Sequence, residues 1–196
     1  DILSLYGPNG LALISSEFES GGGELATLTP YLAAGTYFAR VRALIQGATG
    51  TYTISVSPLA SAVSPNGSSI VGAIEEWNGE DWYVFTVPSK NVYIIETLEG
   101  TLTDTKLFLY GPNGLTLVNS DDHSGIGNMA KIVRYLNPGT YLVKVKAKSL
   151  GTTGTYSVRI TTPSSLVVND SMASGLISPA GDEDWYQVTA DAGATL

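Results

Sequence analysis

Three aspartates, Asp104, Asp121 and Asp122, have the residue type and loop setting to do chemistry, and that chemistry would be calcium binding. Hard divalent cations take carboxylate and carbonyl oxygens, and loops that converge at one end of a β domain can bring such oxygens together. The competing reading is that aspartate caps turns and keeps the surface soluble. The single histidine, His123, follows directly in Asn119-Ser120-Asp121-Asp122-His123-Ser124. A nucleophile–histidine–acid arrangement would need it, but neither G-x-S-x-G nor H-E-x-x-H accompanies it. His123 is expected to be a solvated loop residue, and the sequence holds no catalytic constellation.

Three weaker candidates remain. Asp81 and Asp184 each precede an aromatic pair, where a buried carboxylate accepting loop N–H bonds is expected. Asn66-Gly67-Ser68 and Asn169-Asp170-Ser171 are N-x-S sequons, but asparagine forming turns explains them without sugar and is the better expectation. Trp77, Trp82 and Trp185 would suit sugar stacking, but Trp82 and Trp185 lie in strand-like stretches and Trp77 has Pro179 near the equivalent position, so packing is the better expectation.

These residues sit on a repeated framework. LYGPNG occurs at 5–10 and at 109–114, and residues 5–56 align with 109–160 without a gap, identical at 25 of 52 positions. On this alignment Glu17 and Phe18 stand opposite Asp121 and Asp122, and Glu19 opposite His123. A second block recurs at a spacing of 103: Glu80-Asp81-Trp82-Tyr83 returns as Glu183-Asp184-Trp185-Tyr186, Gly72 as Gly175, and Asn66 as Asn169. The period is about 100 residues, the size of a β-sandwich domain. Residues 58–162 contain both blocks and form one complete repeat. Residues 1–57 hold only the C-terminal half of a repeat, and 163–196 only the N-terminal half. Asp81 to Leu109 spans 28 positions, whereas Asp184 to Leu196 and Asp1 to Leu5 together provide 17. The two halves therefore fall about 11 residues short of a whole, a shortfall expected to be a loop or a break between subunits.

Strands follow from period-two alternation. Tyr141, Val143, Val145 and Ala147 alternate with Leu142, Lys144, Lys146 and Lys148. Tyr37, Ala39, Val41 and Ala43 do the same, and Tyr156, Val158 and Ile160 form an inward row copied at Tyr52, Ile54 and Val56. Tyr83, Phe85 and Val87 make another strand, and Val92–Thr97 the next. Gly-Pro-Asn-Gly is a turn, with proline fixing φ and Asn-Gly accepting positive φ. No helical periodicity competes, and turn signals every 8–12 residues suit a sandwich or jelly roll.

Composition excludes some function classes. The formal charge of −8 and the acidic balance argue against nucleic acid or an anionic membrane as partner, since both require basic patches. Without cysteine there is neither a disulfide framework nor a thiolate metal site. No apolar run reaches the length of a membrane span. The chain opens in mid-pattern, as expected if a leader has been removed.

The stretches Glu80-Asp81-Trp82-Tyr83, Asp104 through Gly114, Asp121-Asp122, Pro138-Gly139-Thr140-Tyr141 and Gly154-Thr155-Tyr156, in that order, resemble the bacterial pre-peptidase C-terminal domain. The resemblance covers 58–162, and each flanking half matches its corresponding part. It implies a jelly-roll-like β-sandwich in secreted bacterial proteins, often beside proteases, related to collagen-binding domains that bind calcium, and non-catalytic. The expectation is an all-β chain of tandem jelly-roll-like β-sandwich repeats, extracellular or at the cell surface. Its expected function is that of a structural repeat whose half-domains are completed head to tail by copies of itself, or by successive repeats of one longer tandem chain, giving a filament or array. The alternative is a collagen- or polysaccharide-binding accessory module of a secreted hydrolase.

Overall fold

The computed structural model describes residues 1–18, 26–28, 30, 32, 35–56, 58, 60–167, 172–178 and 180–190. The chain divides into two compact units, Asp1–Leu59 and Ala60–Leu196, and the regular elements of the described residues are all β-strands.

The first unit contains β1 (Ile2–Tyr6), β2 (Leu13–Phe18) and β3 (Phe38–Arg42), in the antiparallel order β2-β1-β3. The second begins with β4 (Ala60–Ala62), β5 (Ile70–Ile74), β6 (Glu80–Val87), β7 (Asn91–Glu99) and β8 (Thr105–Tyr110). It continues with β9 (Leu117–Asp121), β10 (Lys131–Leu136), β11 (Gly139–Ala147) and β12 (Gly154–Thr161). These nine strands make two sheets, β10-β7-β12-β5 and β4-β6-β11-β8-β9. The eight strands β5 to β12 have the connectivity of a jelly roll, to which β4 adds a parallel edge beside β6. Finally β13 (Ser164–Val167) and β14 (Tyr186–Thr189) form a separate parallel pair.

The inward rows expected from the alternation are the core of the sandwich. Tyr83, Phe85, Tyr141, Val143, Val145, Tyr156 and Val158 are all buried, together with Ile95, Leu107, Leu109, Ile132 and Ile160. Burial of this many large apolar side chains is the main driving force for a fold without disulfides.

The repeated turn has one geometry in both units. Asn113 Oδ1 accepts from the backbone N–H groups of Leu115 and Thr116, Gly114 takes φ 68°, and Gly111 N–H donates to Thr116 O at 2.8 Å. Asn9, Gly10 and the Gly7–Ala12 bond reproduce this, with φ 69° at Gly10. Strand register repeats too. Leu5 pairs with Ser15 and Tyr6 with Leu13 across a bulge, as Leu109 pairs with Asn119 and Tyr110 with Leu117. Tyr6 faces Phe38 as Tyr110 faces Leu142. At the other spacing, Ser164 pairs with Tyr186 as Ser61 pairs with Tyr83.

One expectation needs correction. Tyr52, Ile54 and Val56 do not lie in a strand, and they are 63%, 47% and 94% exposed, where their counterparts Tyr156, Val158 and Ile160 are 1%, 0% and 1%. A strand exists through its partners' hydrogen bonds, and β12 draws its own from β5 and β7, which residues 1–57 do not contain. On the alignment, the gap between Leu196 and Asp1 corresponds to Ile94–Asp104, a stretch that in the complete unit includes the second part of β7.

Lys144 points outward, as expected, yet its ammonium lies 5.2, 5.0 and 5.8 Å from the rings of Trp82, Phe108 and Tyr110 and 3.5 Å from Glu80 Oε2. Val143→Asp should leave no folded sandwich, because an unpaired carboxylate at a fully buried site costs several kcal/mol. Lys144→Asp should cost about 1–2 kcal/mol, through lost cation–π contacts and a new repulsion with Glu80. Urea denaturation separates the two; equal effects would show that the register of β11 is wrong.

Candidate functional site

The three aspartates lie at the end of the sandwich where β8 begins and β9 ends. Asp121 closes β9 and pairs with Leu107. Its Oδ2 accepts from the backbone N–H groups of Ser124 at 2.9 Å, Lys131 at 2.9 Å and His123 at 3.1 Å, and its Oδ1 from the Ser124 hydroxyl at 2.5 Å. The carboxylate therefore folds the loop after β9 and ties it to the start of β10. Partial burial pushes its pKa up, but the bonds from Ser124, Lys131 and His123 outweigh this and hold it below the ordinary value. The other repeat shows one of these bonds with a longer acid: Glu17 Oε2 accepts from Thr27 N–H at 3.1 Å, and Glu17 and Thr27 are the counterparts of Asp121 and Lys131.

Asp122 has Oδ1 2.5 Å from His123 Nδ1, and its Oδ2 is paired with Lys148 Nζ. The backbone N–H of Lys148 donates to Asp104 O at 3.2 Å, so both aspartates are attached to one lysine. Asp104 also bridges to Asn128, and its Oδ1 is buried without a hydrogen-bond partner. Four donors occupy Asp121, a lysine already neutralises Asp122, and no group of three or more carboxylates or imidazoles among the described residues is placed to hold a metal. The His123 side chain is 79% exposed, in keeping with a solvated loop residue.

Asp81 has a different role from the one expected. Its Oδ2 accepts from the Tyr156 hydroxyl at 2.7 Å, not from loop N–H groups, and Tyr156 shares a second bond of 2.9 Å with the Tyr83 hydroxyl. Burial, with the Tyr83 and Asp81 contacts, pushes the Tyr156 phenol far above its usual range. Gly72 lies against both hydroxyls, where any Cβ would collide with them. Alignment of Gly72, Asp81, Tyr83 and Tyr156 with Gly175, Asp184, Tyr186 and Tyr52 marks these positions in the sequence, but not the contact that joins them.

Sequence reasoning missed the ion pair between Glu96 and Arg159. Arg159 donates from Nη2 at 2.6 Å and Nε at 3.0 Å to the nearly buried Glu96 carboxylate. The two residues face each other across β7 and β12, so the signal lay in the register and not in either residue alone.

Trp82 packs at 5.4 Å against Tyr110 beneath Lys144 and donates to Glu80, so it is not an open stacking plate. Trp77 is exposed and lies over Gly151. Asn66 takes φ 60° in the turn closed by Gly67 N–H to Ser64 O, and its side chain ties that turn to Thr162, accepting from its N–H at 2.9 Å and donating to its hydroxyl. Glu19, Asn169 and Pro179 lie outside the described residues.

Residues 79–147 match the family model of the bacterial pre-peptidase C-terminal domain. Among solved structures, the chain is similar to the pre-peptidase C-terminal domain of collagenase from Bacillus anthracis, at 20% identity and a TM-score of 0.44. That match covers 54% of this chain and 99% of the other. It is also similar to the Yersinia pseudotuberculosis-derived mitogen, at 23% identity and a TM-score of 0.38, covering 50% and 86% of the two chains. A third similar structure is a periplasmic inhibitor of g-type lysozyme from Aeromonas hydrophila, at 14% identity and a TM-score of 0.32, covering 52% and 96%. No curated protein matches.

Asp121→Asn retains one acceptor oxygen and loses the other, so it should destabilise the 60–162 unit by about 1–3 kcal/mol near neutral pH. Because folding lowers the pKa of Asp121, its contribution is complete above the ordinary aspartate value of 3.8 and is lost as pH falls through the lower folded value. Denaturation midpoints of wild type and variant should therefore converge on acidification below that value. A gap that stays constant would remove Asp121 as its source.

Proposed function

We propose that this chain is a non-catalytic structural protein of the bacterial cell exterior, built from tandem jelly-roll sandwiches. Residues 1–57 and the segment from 163 onward are complementary parts of a split sandwich, each completed by a neighbouring copy. One observation carries the reading: the split parts reproduce the strand register of the complete unit, yet the row at Tyr52, Ile54 and Val56 is exposed where its copy is core. Apolar rows and free strand edges of this kind are ordinarily covered. A contact between two different surfaces is heterologous, and it propagates as an array unless its rotation closes a ring. The family match at 79–147 supports an extracellular setting, since such domains accompany secreted proteases. It also favours a second reading, a substrate-binding accessory module of a secreted hydrolase.

Calcium is not required by this reading. An ion at Asp122 would compete with Lys148, whereas the buried Asp104 Oδ1 has no hydrogen-bond partner and Asp121 Oδ1 accepts one bond, from the Ser124 hydroxyl. The melting temperature in millimolar calcium should equal that in EDTA. A rise of several degrees would show that calcium binds the folded chain, because a ligand at 100 times its dissociation constant adds about 2.7 kcal/mol.

Assembly is tested by sedimentation velocity over a wide concentration range. The mean mass should climb with concentration past that of a dimer. A chain that stays monomeric throughout would leave the accessory-module reading in its place.

A further inference from the structure

The complete unit contains a polar joint between its two sheets. Tyr156 on β12 sends its hydroxyl between Tyr83 and Asp81 on β6, over Gly72 on β5. All four residues have counterparts, but these are divided between the two ends of the chain. Tyr52 stands for Tyr156, while Gly175, Asp184 and Tyr186 stand for Gly72, Asp81 and Tyr83. The receiving side is already gathered: a Cβ on Gly175 would collide with the Asp184 carboxylate and lie 3.0 Å from the Tyr186 hydroxyl. Tyr52, the inserting side, is 63% exposed.

The sheet edges agree with this division. β11 lies between β6 and β8, whereas among the described residues β3 pairs with β1 alone and β14 with β13 alone. Carrying the register of β6 and β11 over sets Tyr186 opposite Ala39, Trp185 opposite Arg40 and Glu183 opposite Arg42. The charges are complementary. In the complete unit Glu80 lies 3.5 Å from Lys144 and 3.7 Å from Lys146, and Glu183, Arg40 and Arg42 are their counterparts. Arg40 already lies 4.9 Å over the Tyr6 ring, as Lys144 lies over Tyr110, leaving the place of Trp82 to Trp185. The counterpart of β7 plays no part, because β7 joins β12 on the side away from β5.

We infer that β14 of one copy adds to the edge of β3 of a second copy, with Glu183 against Arg40 and Arg42 and the Tyr52 hydroxyl inserted between Asp184 and Tyr186. This rests on the split-repeat reading above and specifies its joint. Docking would exchange the present partner of Glu183, the Lys131 ammonium at 3.0 Å, for the two arginines.

The test is a reciprocal charge exchange, read by sedimentation of the full chain. Glu183→Arg alone and the double variant Arg40→Glu with Arg42→Glu should each fail to assemble. An equimolar mixture of the two should assemble again, because each then meets its opposite charge. Tyr52→Phe should weaken assembly at least about tenfold, since it removes the bonds to both Asp184 and Tyr186. Lys131→Ala, which removes the present partner of Glu183 and keeps its charge, should assemble at least as well as wild type. If wild type assembles and both charge variants do so equally well, the joint is wrong while the split-repeat reading stands. If wild type is monomeric at every concentration, that reading fails and the joint with it. A monomer in which Glu183→Arg lowers the melting temperature, and the three changes combined in one chain restore it, would place the joint within one chain and overturn the inference.

Discussion

The Tyr156 hydroxyl is the constraint on which the arrangement of the sandwich depends. A phenol buried among Ile, Leu and Val side chains is costly unless both its donor and its acceptor capacity are used. Asp81 and Tyr83 use them, and both residues belong to the opposite sheet. Three consequences follow. Gly72 must lack a side chain, because β5 passes directly over the hydroxyls. Asp81 must face the interior near the start of β6, and that fixes the phase in which Tyr83, Phe85 and Val87 fill the core. Register is also locked, since a slip of one residue in β12 would turn the phenol to solvent and strand the carboxylate. Apolar packing alone tolerates such slips more readily than a satisfied buried network does.

Much of this fold was legible in the sequence because the information was local. The rows at Tyr141, Val143 and Val145 and at Tyr156, Val158 and Ile160 are visible from alternation, and Gly-Pro-Asn-Gly from the dihedral preferences of its residues. What depended on distant partners was not legible. Asp81 was expected to accept loop N–H bonds, because nothing near it in sequence announces a hydroxyl 75 residues away. Asp121 was expected to be a possible metal ligand, because a carboxylate that coordinates and one that clamps a loop look alike until its donors are placed. Tyr52, Ile54 and Val56 carried a correct pattern but form no strand, since pattern selects a face and only a partner supplies the hydrogen bonds.

The two copies within one chain act as an internal control on which features the fold requires. The turn at Asn9 and Asn113, the bulge that follows it, and the cation over Tyr6 and Tyr110 occur in both. So does the acid clamp, although its side chain changes from Asp121 to Glu17 and its contact stays on the equivalent backbone N–H. A metal site is sensitive to the reach of each ligand, whereas a clamp tolerates one more methylene if the loop gives slightly. The substitution therefore favours the clamp. Asp122 behaves in the opposite way. Its counterpart is the exposed Phe18, and the counterpart of its partner Lys148 is the exposed Leu44, so the ion pair is absent as a unit and not merely weakened. The bond that both copies share is the one donated by the backbone N–H of Lys131 or Thr27 to the carboxylate of Asp121 or Glu17. The carboxylate at Asp121 closes the loop, and the pair between Asp122 and Lys148 is a surface addition to a loop already held.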